Sequence, residues 1–201
     1  MNTGLYAVKP WFVSRLRRVE DVLGARRIRP DALTYAAIVA SIGAAAAIVA
    51  GALLEAPVLW ILVAPLGLIR LALNALDGAV ARRTRSASPF GAALNEVCDR
   101  LSDVVLIAST LAVAPPELVL AAMTLTLLAS VAGISGVGAS GKRSYAGPMG
   151  KADRVAVMSI AGVIAALTAS AIAFQVALLV LCVGCSATFV LRMMEVRRGC
   201  S

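Results

Sequence analysis

The sequence predicts an all-α membrane protein, with six transmembrane helices preceded by an amphipathic helix lying in the cytoplasmic interface. Three observations carry that expectation. The chain is 60% hydrophobic with a mean hydropathy of +0.89, and only 15% of its residues are charged, against about a quarter in an ordinary soluble domain. Its apolar residues come in runs close to the ~20 residues that cross a hydrocarbon layer. All but one of its 19 Lys and Arg residues fall in clusters between those runs or at their ends, Arg70 being the exception.

Residues 1–30 read as a juxtamembrane segment and 31–201 as the transmembrane domain. MNTGLYAVKP at the start lacks the apolar core of a secretory signal, so the first span is expected to target the chain to the membrane. Within KPWFVSRLRRVEDVLGARR, residues 9–27, a helix places Trp11, Phe12, Leu16, Val19 and Leu23 on one face and arginines on the other, the pattern of a helix lying in a membrane surface. Pro30 interrupts it, and Asp31 or Thr34 is placed to cap the first span. The spans are expected at 33–54, 57–76, 101–115, 117–139, 154–171 and 173–192. Pro57, Pro115 and Pro116 mark two of the short turns, because proline removes a helix donor and constrains the residue before it. Gly43, Ala47 and Gly51 recur every fourth residue in the first span, which suits either close packing inside the chain or a dimer seam.

The charges orient the chain. Lys9, Arg15, Arg17, Arg18, Arg26, Arg27 and Arg29 precede the first span. Arg82, Arg83, Arg85 and Arg100 surround the second-to-third connection, Lys142, Arg143, Lys151 and Arg154 the fourth-to-fifth, and Arg192, Arg197 and Arg198 end the chain. The opposite turns carry only Glu55 and Glu117. Positive charge stays on the cytoplasmic side, so both termini are expected there, as an even number of spans requires.

Several functions are disfavoured by composition. The net charge of +8 is distributed as topology signals, and aromatics are 4% of the chain, leaving no stacking platform for nucleic-acid bases. There is no histidine, and Cys98, Cys182, Cys185 and Cys200 have neither disulfide-framework nor zinc-site spacing. Cys182 and Cys185 form a CxxC inside an apolar helix and are expected to pack. No internal repeat of the kind that builds many transporters is evident.

One polar cluster stands out, between Asn74 and Asp103. Polar and ionisable groups near hydrocarbon are costly and mark function by default. Arg70, Asn74 and Asp77 follow at helical steps of four and three, and Asn95, Asp99 and Asp103 at steps of four, so each set shares one helix face. If these stripes face each other at the cytoplasmic ends of the second and third spans, they gather oxygen ligands. Oxygen-only ligation suits Mg²⁺, Mn²⁺ or Ca²⁺. Gly78 leaves room for a phosphate or sugar, and Arg82 supplies a fixed positive charge one turn on. Such a set suits a phosphoryl substrate, with a carboxylate taking the proton of a hydroxyl nucleophile.

The stretch Asn74-x2-Asp77-Gly78-x2-Ala81-Arg82-x8-Gly91-x3-Asn95-x3-Asp99 resembles the D-x2-D-G-x2-A-R-x8-G-x3-D-x3-D signature of the CDP-alcohol phosphatidyltransferases. Every spacing agrees, and Asp77, Gly78, Ala81, Arg82, Gly91 and Asp99 agree in identity. The interfacial helix, the six spans, RIRPDALT before the first span and GPMGKADR before the fifth are also similar to family features. The resemblance implies transfer of a phosphatidyl or related group from a CDP-linked donor such as CDP-diacylglycerol to a small alcohol, with release of CMP. It also implies Mg²⁺ or Mn²⁺, a homodimer, and a cytoplasm-facing site in a bacterial-type inner membrane. By position, Asn74, Asp77, Asn95 and Asp99 would be metal ligands, with Asp99 also the general base. Asn74, Gly78, Ala81, Arg82 and Gly91 would border the nucleotide, and Lys151 and Arg154 would bind a phosphate of the donor or an anionic acceptor.

Asn74 and Asn95 stand where the family has carboxylates. An amide oxygen still ligates a hard cation but carries no charge, so metal binding is expected to weaken, at a second metal above all. Glu96 points about 100° from Asn95 on an ideal helix. Asp103 lies one turn deeper than Asp99, and we expect it to pair with Arg70, which would be expensive alone inside the membrane. Alternative readings are a family homologue impaired in catalysis with a binding or structural role, a small transporter using Arg70, and simple polar glue between helices.

Overall fold

The computed structural model describes residues 16–25, 29–141 and 143–199, and every regular element among them is helical. A short helix, α1 (Arg17–Ala25), precedes six long ones: α2 (Pro30–Leu53), α3 (Val63–Arg83), α4 (Pro89–Ala108), α5 (Pro116–Ser140), α6 (Lys151–Thr168) and α7 (Ile172–Gly199). Tight 3₁₀ segments at Pro57–Leu62 and Ser109–Ala112 lead into α3 and close α4. The calls on Lys9, Trp11, Phe12, Arg15, Arg26, Arg27, Lys142 and Cys200 lie outside the described residues.

Among the described residues, four helical stretches are long and apolar enough to cross a membrane: Pro30–Leu53, Pro57–Arg83, Pro116–Gly138 and Ile172–Gly199. They are apolar all round, with Val39, Ile42, Leu68, Val131 and Val183 exposed on their outer faces, as lipid-facing helices are. α4 and α6 fall short of that standard because they carry the charge: Glu96, Asp99, Arg100 and Asp103 on α4, and Lys151, Asp153 and Arg154 on α6.

The helices outrun the apolar stretches that announced them. α4 begins at Pro89 rather than near 101, and α3 runs to Arg83 rather than ending near 76. Hydropathy registers only the part that prefers lipid, whereas the backbone ladder continues wherever a cap can start it. At α4 the Ser88 hydroxyl accepts from the Gly91 amide at 3.0 Å, with Pro89 in the first turn, an N-cap that satisfies an otherwise orphaned donor. At α6 the Asp153 carboxylate accepts from the Gly150 amide at 2.9 Å. α2 starts differently from expectation. Pro30 opens it without a side-chain cap, and Thr34 donates instead to Asp77 Oδ2 at 3.0 Å, because a tertiary acceptor lies within its reach.

α2 packs along α3 and α4, α3 along α6, and α5 along α7. The α2–α3 hairpin is closed by Trp60, whose indole N–H donates to the Ile48 carbonyl at 3.0 Å and whose ring meets Phe174 edge-on at 5.6 Å. Trp60, Ile48, Val63, Met158, Phe174, Leu178 and Leu181 form the main apolar core. Small residues permit these approaches. A Cβ on Gly51 would lie 2.3 Å from Trp60 Nε1, and one on Gly43 would sit 3.4 Å from Leu66, while Ala47 is buried. The four-residue stripe is thus spent on packing inside the chain. Cys98, Cys182 and Cys185 are free thiols, and Cys185 packs in the core 3.5 Å from the Thr126 hydroxyl.

A Cβ on Gly162 of α6 would lie 2.7 Å from the Trp60 carbonyl oxygen and 2.8 Å from Val63 Cβ, contacts with atoms that do not yield freely. Gly162→Ala is expected to cost about 1–3 kcal/mol through overpacking, visible as a lower Tm of the detergent-solubilised protein. A Tm at or above that of the parent would contradict this packing.

Candidate active site at the polar ends of α3, α4 and α6

The two polar stripes come together as the helical spacing requires, and α6 supplies two cations between them. At the deepest level Asp103 (α4) accepts from two arginines. Arg70 Nη2 (α3) donates to Asp103 Oδ1 at 2.7 Å, and Arg154 Nη2 and Nε (α6) donate to Oδ2 at 2.7 and 3.1 Å. All three side chains are buried. Arg70 Nη2 also donates to the main-chain carbonyl of Asp99 at 3.1 Å, and Arg154 Nη1 to that of Met149 at 3.2 Å.

One turn outward, Asp99 is held by neighbours from two helices. Asn74 Nδ2 donates to Oδ1 at 2.8 Å, and Lys151 Nζ to Oδ2 at 2.6 Å. Asp77 accepts from the Thr34 hydroxyl at 3.0 Å and from the Gly78 amide at 2.5 Å. Both carboxylates are buried, while Asn74, Asn95 and Lys151 are half-buried. Glu96 faces elsewhere, pairing with Arg100 at 2.9 Å and with Arg143 through two bonds of 2.5 and 3.0 Å.

Outside these carboxylates opens a cavity of about 450 Å³, lined by residues including Asp31, Thr34, Asp77, Gly78, Ala81, Arg82, Gly91 and Asn95. Its size is that of a small-molecule site. Arg82 is exposed and has no ion-pair partner among the described residues, so its charge is available to an anion. A second groove, about 560 Å³ between α6 and α7, is lined almost wholly by aliphatic residues such as Val157, Ile160 and Val176 and offers nothing to orient a phosphate.

The donor chemistry decides how a metal would fit. Asn95 Oδ1 is buried without a hydrogen-bond partner, and it lines the cavity with Asp77. A carboxylate and a free amide oxygen suit one hard cation completed by substrate or water oxygens. Among the described residues no group of three or more His, Cys, Asp or Glu side chains is arranged to hold a metal, since two signature positions are carboxamides.

Of the residues singled out from the sequence, Asp77, Gly78, Ala81, Arg82, Gly91 and Asn95 meet at the cavity. Asn74, Asp99 and Lys151 form a bonded cluster behind it, and Arg70, Asp103 and Arg154 lie deeper still. Arg154 was expected to reach a phosphate, yet its guanidinium is turned inward on Asp103. The reason is electrostatic: a buried carboxylate shared by two helices binds a guanidinium more tightly than the half-exposed rim would. Arg192, read as a topology signal, is also buried, donating to the Ala129 and Ala146 carbonyls at 2.6 and 3.0 Å. Thr34 was read only as a cap, and no spacing rule links it to Asp77. At the cavity, Ser86 and Ser88 carried no signal in the sequence, while Arg29 and Asp31 stood out only as a topology charge and a cap candidate.

Because Asp103 serves two arginines, exchanging Arg70 with Asp103 would set the new guanidinium against Arg154, so a two-residue charge swap restores nothing. Asp103→Leu is expected to cost about 3–5 kcal/mol by stranding two buried cations, and Arg70→Met/Asp103→Leu/Arg154→Met together to recover most of that loss. Thermal unfolding in detergent measures both. A triple variant no more stable than the single one would refute the account.

Comparisons with known proteins bear on the family and the fold. The family model for CDP-alcohol phosphatidyltransferase matches residues 27–190. The chain is 35% identical over 167 residues to the inner membrane protein YnbA of Escherichia coli K12, an alignment covering 81% of each. Its fold is similar to Mycobacterium tuberculosis phosphatidylinositol phosphate synthase PgsA1 solved with CDP-DAG bound, with a TM-score of 0.72, 22% identity, and coverage of 89% of this chain and 92% of that one. The same enzyme in complex with manganese and citrate gives a TM-score of 0.73 at 21% identity, covering 90% and 88%. With six of the eight signature residues gathered at one cavity and the family model spanning most of its length, this membrane protein belongs to the CDP-alcohol phosphatidyltransferase family.

Proposed function

We propose that this chain transfers a phosphatidyl, or similarly substituted, phosphate group from a CDP-linked lipid donor to the hydroxyl of a small alcohol, releasing CMP. The observation that carries the reading is the convergence of Asp77, Gly78, Ala81, Arg82, Gly91 and Asn95 on one cavity with Asp99 immediately behind it. In the proposed topology all six long helices span the membrane, with α4 and α6 burying their charges against each other. Both termini and the cavity then face the cytoplasm, as the Lys and Arg clusters support. Pairing of two copies rests on the family resemblance.

In the reaction the acceptor oxygen attacks the lipid-bearing phosphorus. A new P–O bond forms there as the P–O bond to CMP breaks, and CMP leaves with the electron pair. Asp99 takes the acceptor proton, and Arg82 offers its guanidinium to the diphosphate, whose charge shifts toward CMP in the transition state. Gly78 keeps the α3 surface low beside Arg82, where a Cβ would stand 3.2 Å from Nη1. A single Mg²⁺ or Mn²⁺ held by Asp77 and Asn95 would supply charge neutralisation of the same phosphates. The hydrocarbon-facing flanks of α2 and α3 leave room for the donor's acyl chains in the bilayer.

One observation favours a second reading, a homologue impaired in catalysis: Asp99 spends both oxygens on Asn74 and Lys151. The two readings separate in proteoliposomes containing CDP-diacylglycerol, Mg²⁺ or Mn²⁺, and a panel of small alcohols. CMP release is expected, with Asp99→Asn lowering it by about 10²–10⁴-fold and Arg82→Gln by about 10²-fold. Well-folded protein that releases no CMP with any acceptor would sink the transferase reading and leave the impaired homologue.

A further inference from the structure

The surroundings of Asp99 bear on how many metal ions this particular chain can hold, an inference that rests on the transferase reading for its substrate but not for its metal count. Lys151, the first residue of α6, sets its ammonium 2.6 Å from Asp99 Oδ2, and Arg100 places a second cation 3.9 Å from the same oxygen. The other oxygen receives the Asn74 amide at 2.8 Å. Asp99 itself is only 5% exposed and Lys151 only 25%. A buried carboxylate so surrounded presents cations and an N–H donor, where a metal centre needs free oxygen lone pairs.

Charge leads to the same end. The four signature positions that could ligate comprise two carboxylates and two neutral amides, and Lys151 reduces their net charge to −1. One divalent cation reverses that sign modestly, and the donor's diphosphate can offset it. A second would leave a large positive excess in a poorly solvated place, where like charges repel strongly. The candidate ligands divide accordingly. Asp77 accepts from two neutral donors, the Thr34 hydroxyl and the Gly78 amide, and lines the cavity with Asn95, whose Oδ1 is buried without a hydrogen-bond partner, whereas Asn74 and Asp99 are bonded to each other behind it, with the Lys151 ammonium on Asp99.

We propose that the Lys151 ammonium is the resident cation on the Asp99 side of the site, so that this chain binds a single divalent cation, through Asp77 and Asn95. Arg82 at the cavity then provides the remaining positive charge facing the donor's diphosphate. The Asn74 and Asn95 amides lower the anionic charge that a second metal would need, and the Lys151 ammonium occupies its place.

The test is Mn²⁺ stoichiometry on the purified full-length chain in detergent, by equilibrium dialysis and by the electron paramagnetic resonance signal of free Mn²⁺. One Mn²⁺ per chain is expected, falling to none in Asp77→Asn. Asn74→Asp/Asn95→Asp/Lys151→Met is expected to bind two, with the magnetic coupling of a close Mn²⁺ pair. Zero or two ions on the parent protein would overturn the proposal, as would a folded triple variant that still binds one. If the triple variant does not fold, the parent count decides alone, supported by Lys151→Arg keeping one ion. CMP release measured on the same samples separates the two claims. One ion without CMP release sinks the transferase reading alone, and two ions with CMP release sink the single-metal inference alone.

Discussion

Asp103, between Arg70 and Arg154, is the contact on which the rest of the arrangement depends. Each of these side chains would be expensive alone in a low-dielectric interior. Together they connect α3, α4 and α6 through three charge-assisted bonds of 2.7–3.1 Å. The contact is intolerant of register error. Rotating α4 by one residue turns Asp103 about 100° away and leaves two guanidiniums with no counter-charge. Arg70 also grips the Asp99 carbonyl, so the deepest ion cluster fixes the backbone that carries the proposed base.

Above that anchor, polarity is graded along the helices. The buried triad comes first, then the Asp99–Asn74–Lys151 cluster, then the cavity with Asp77 and Asn95, and last the exposed Arg82. The gradient lets a membrane protein handle both halves of an amphiphilic donor. Under the proposed function, acyl chains stay in lipid against the aliphatic outer faces of α2 and α3, while the diphosphate meets the exposed Arg82 guanidinium at the cavity, with the Lys151–Asp99 pair held in place behind it. Charges held in place cost little reorganisation when a transition state develops charge. Glu96 contributes from outside the cavity: its bonds to Arg143 tie the segment after α5 to α4, close to the start of α6 that presents Lys151.

How much of this was legible in the sequence differs from residue to residue. The helical steps linking Arg70, Asn74 and Asp77, and those linking Asn95, Asp99 and Asp103, put each set on one face, and a face is a local property. The signature spacing from Asn74 to Asp99 marked the site, and the Lys and Arg clusters indicated an orientation. The limits of the helices were less legible, since Ser88 and Pro89 start α4 well before hydropathy rises. Asp153, whose carboxylate accepts from the Gly150 amide at the start of α6, belongs to no spacing pattern in the sequence.

By itself, then, the sequence determined that the chain is helical and lipid-embedded, which residues share a helix face, and which family pattern they follow. Each of these depends on composition or on separations of three to four residues, which the geometry of a single helix converts directly into position. Only the tertiary structure decided who faces whom: that Asp103 takes two arginines, that Arg154 turns inward, that Thr34 reaches Asp77, and that Lys151 closes on Asp99. Those partners lie 33 to 52 residues apart in the chain, and their meeting depends on the rotation and depth of each helix against its neighbours. Packing around Gly51 and Gly162 sets those two quantities, and no period in the sequence encodes them.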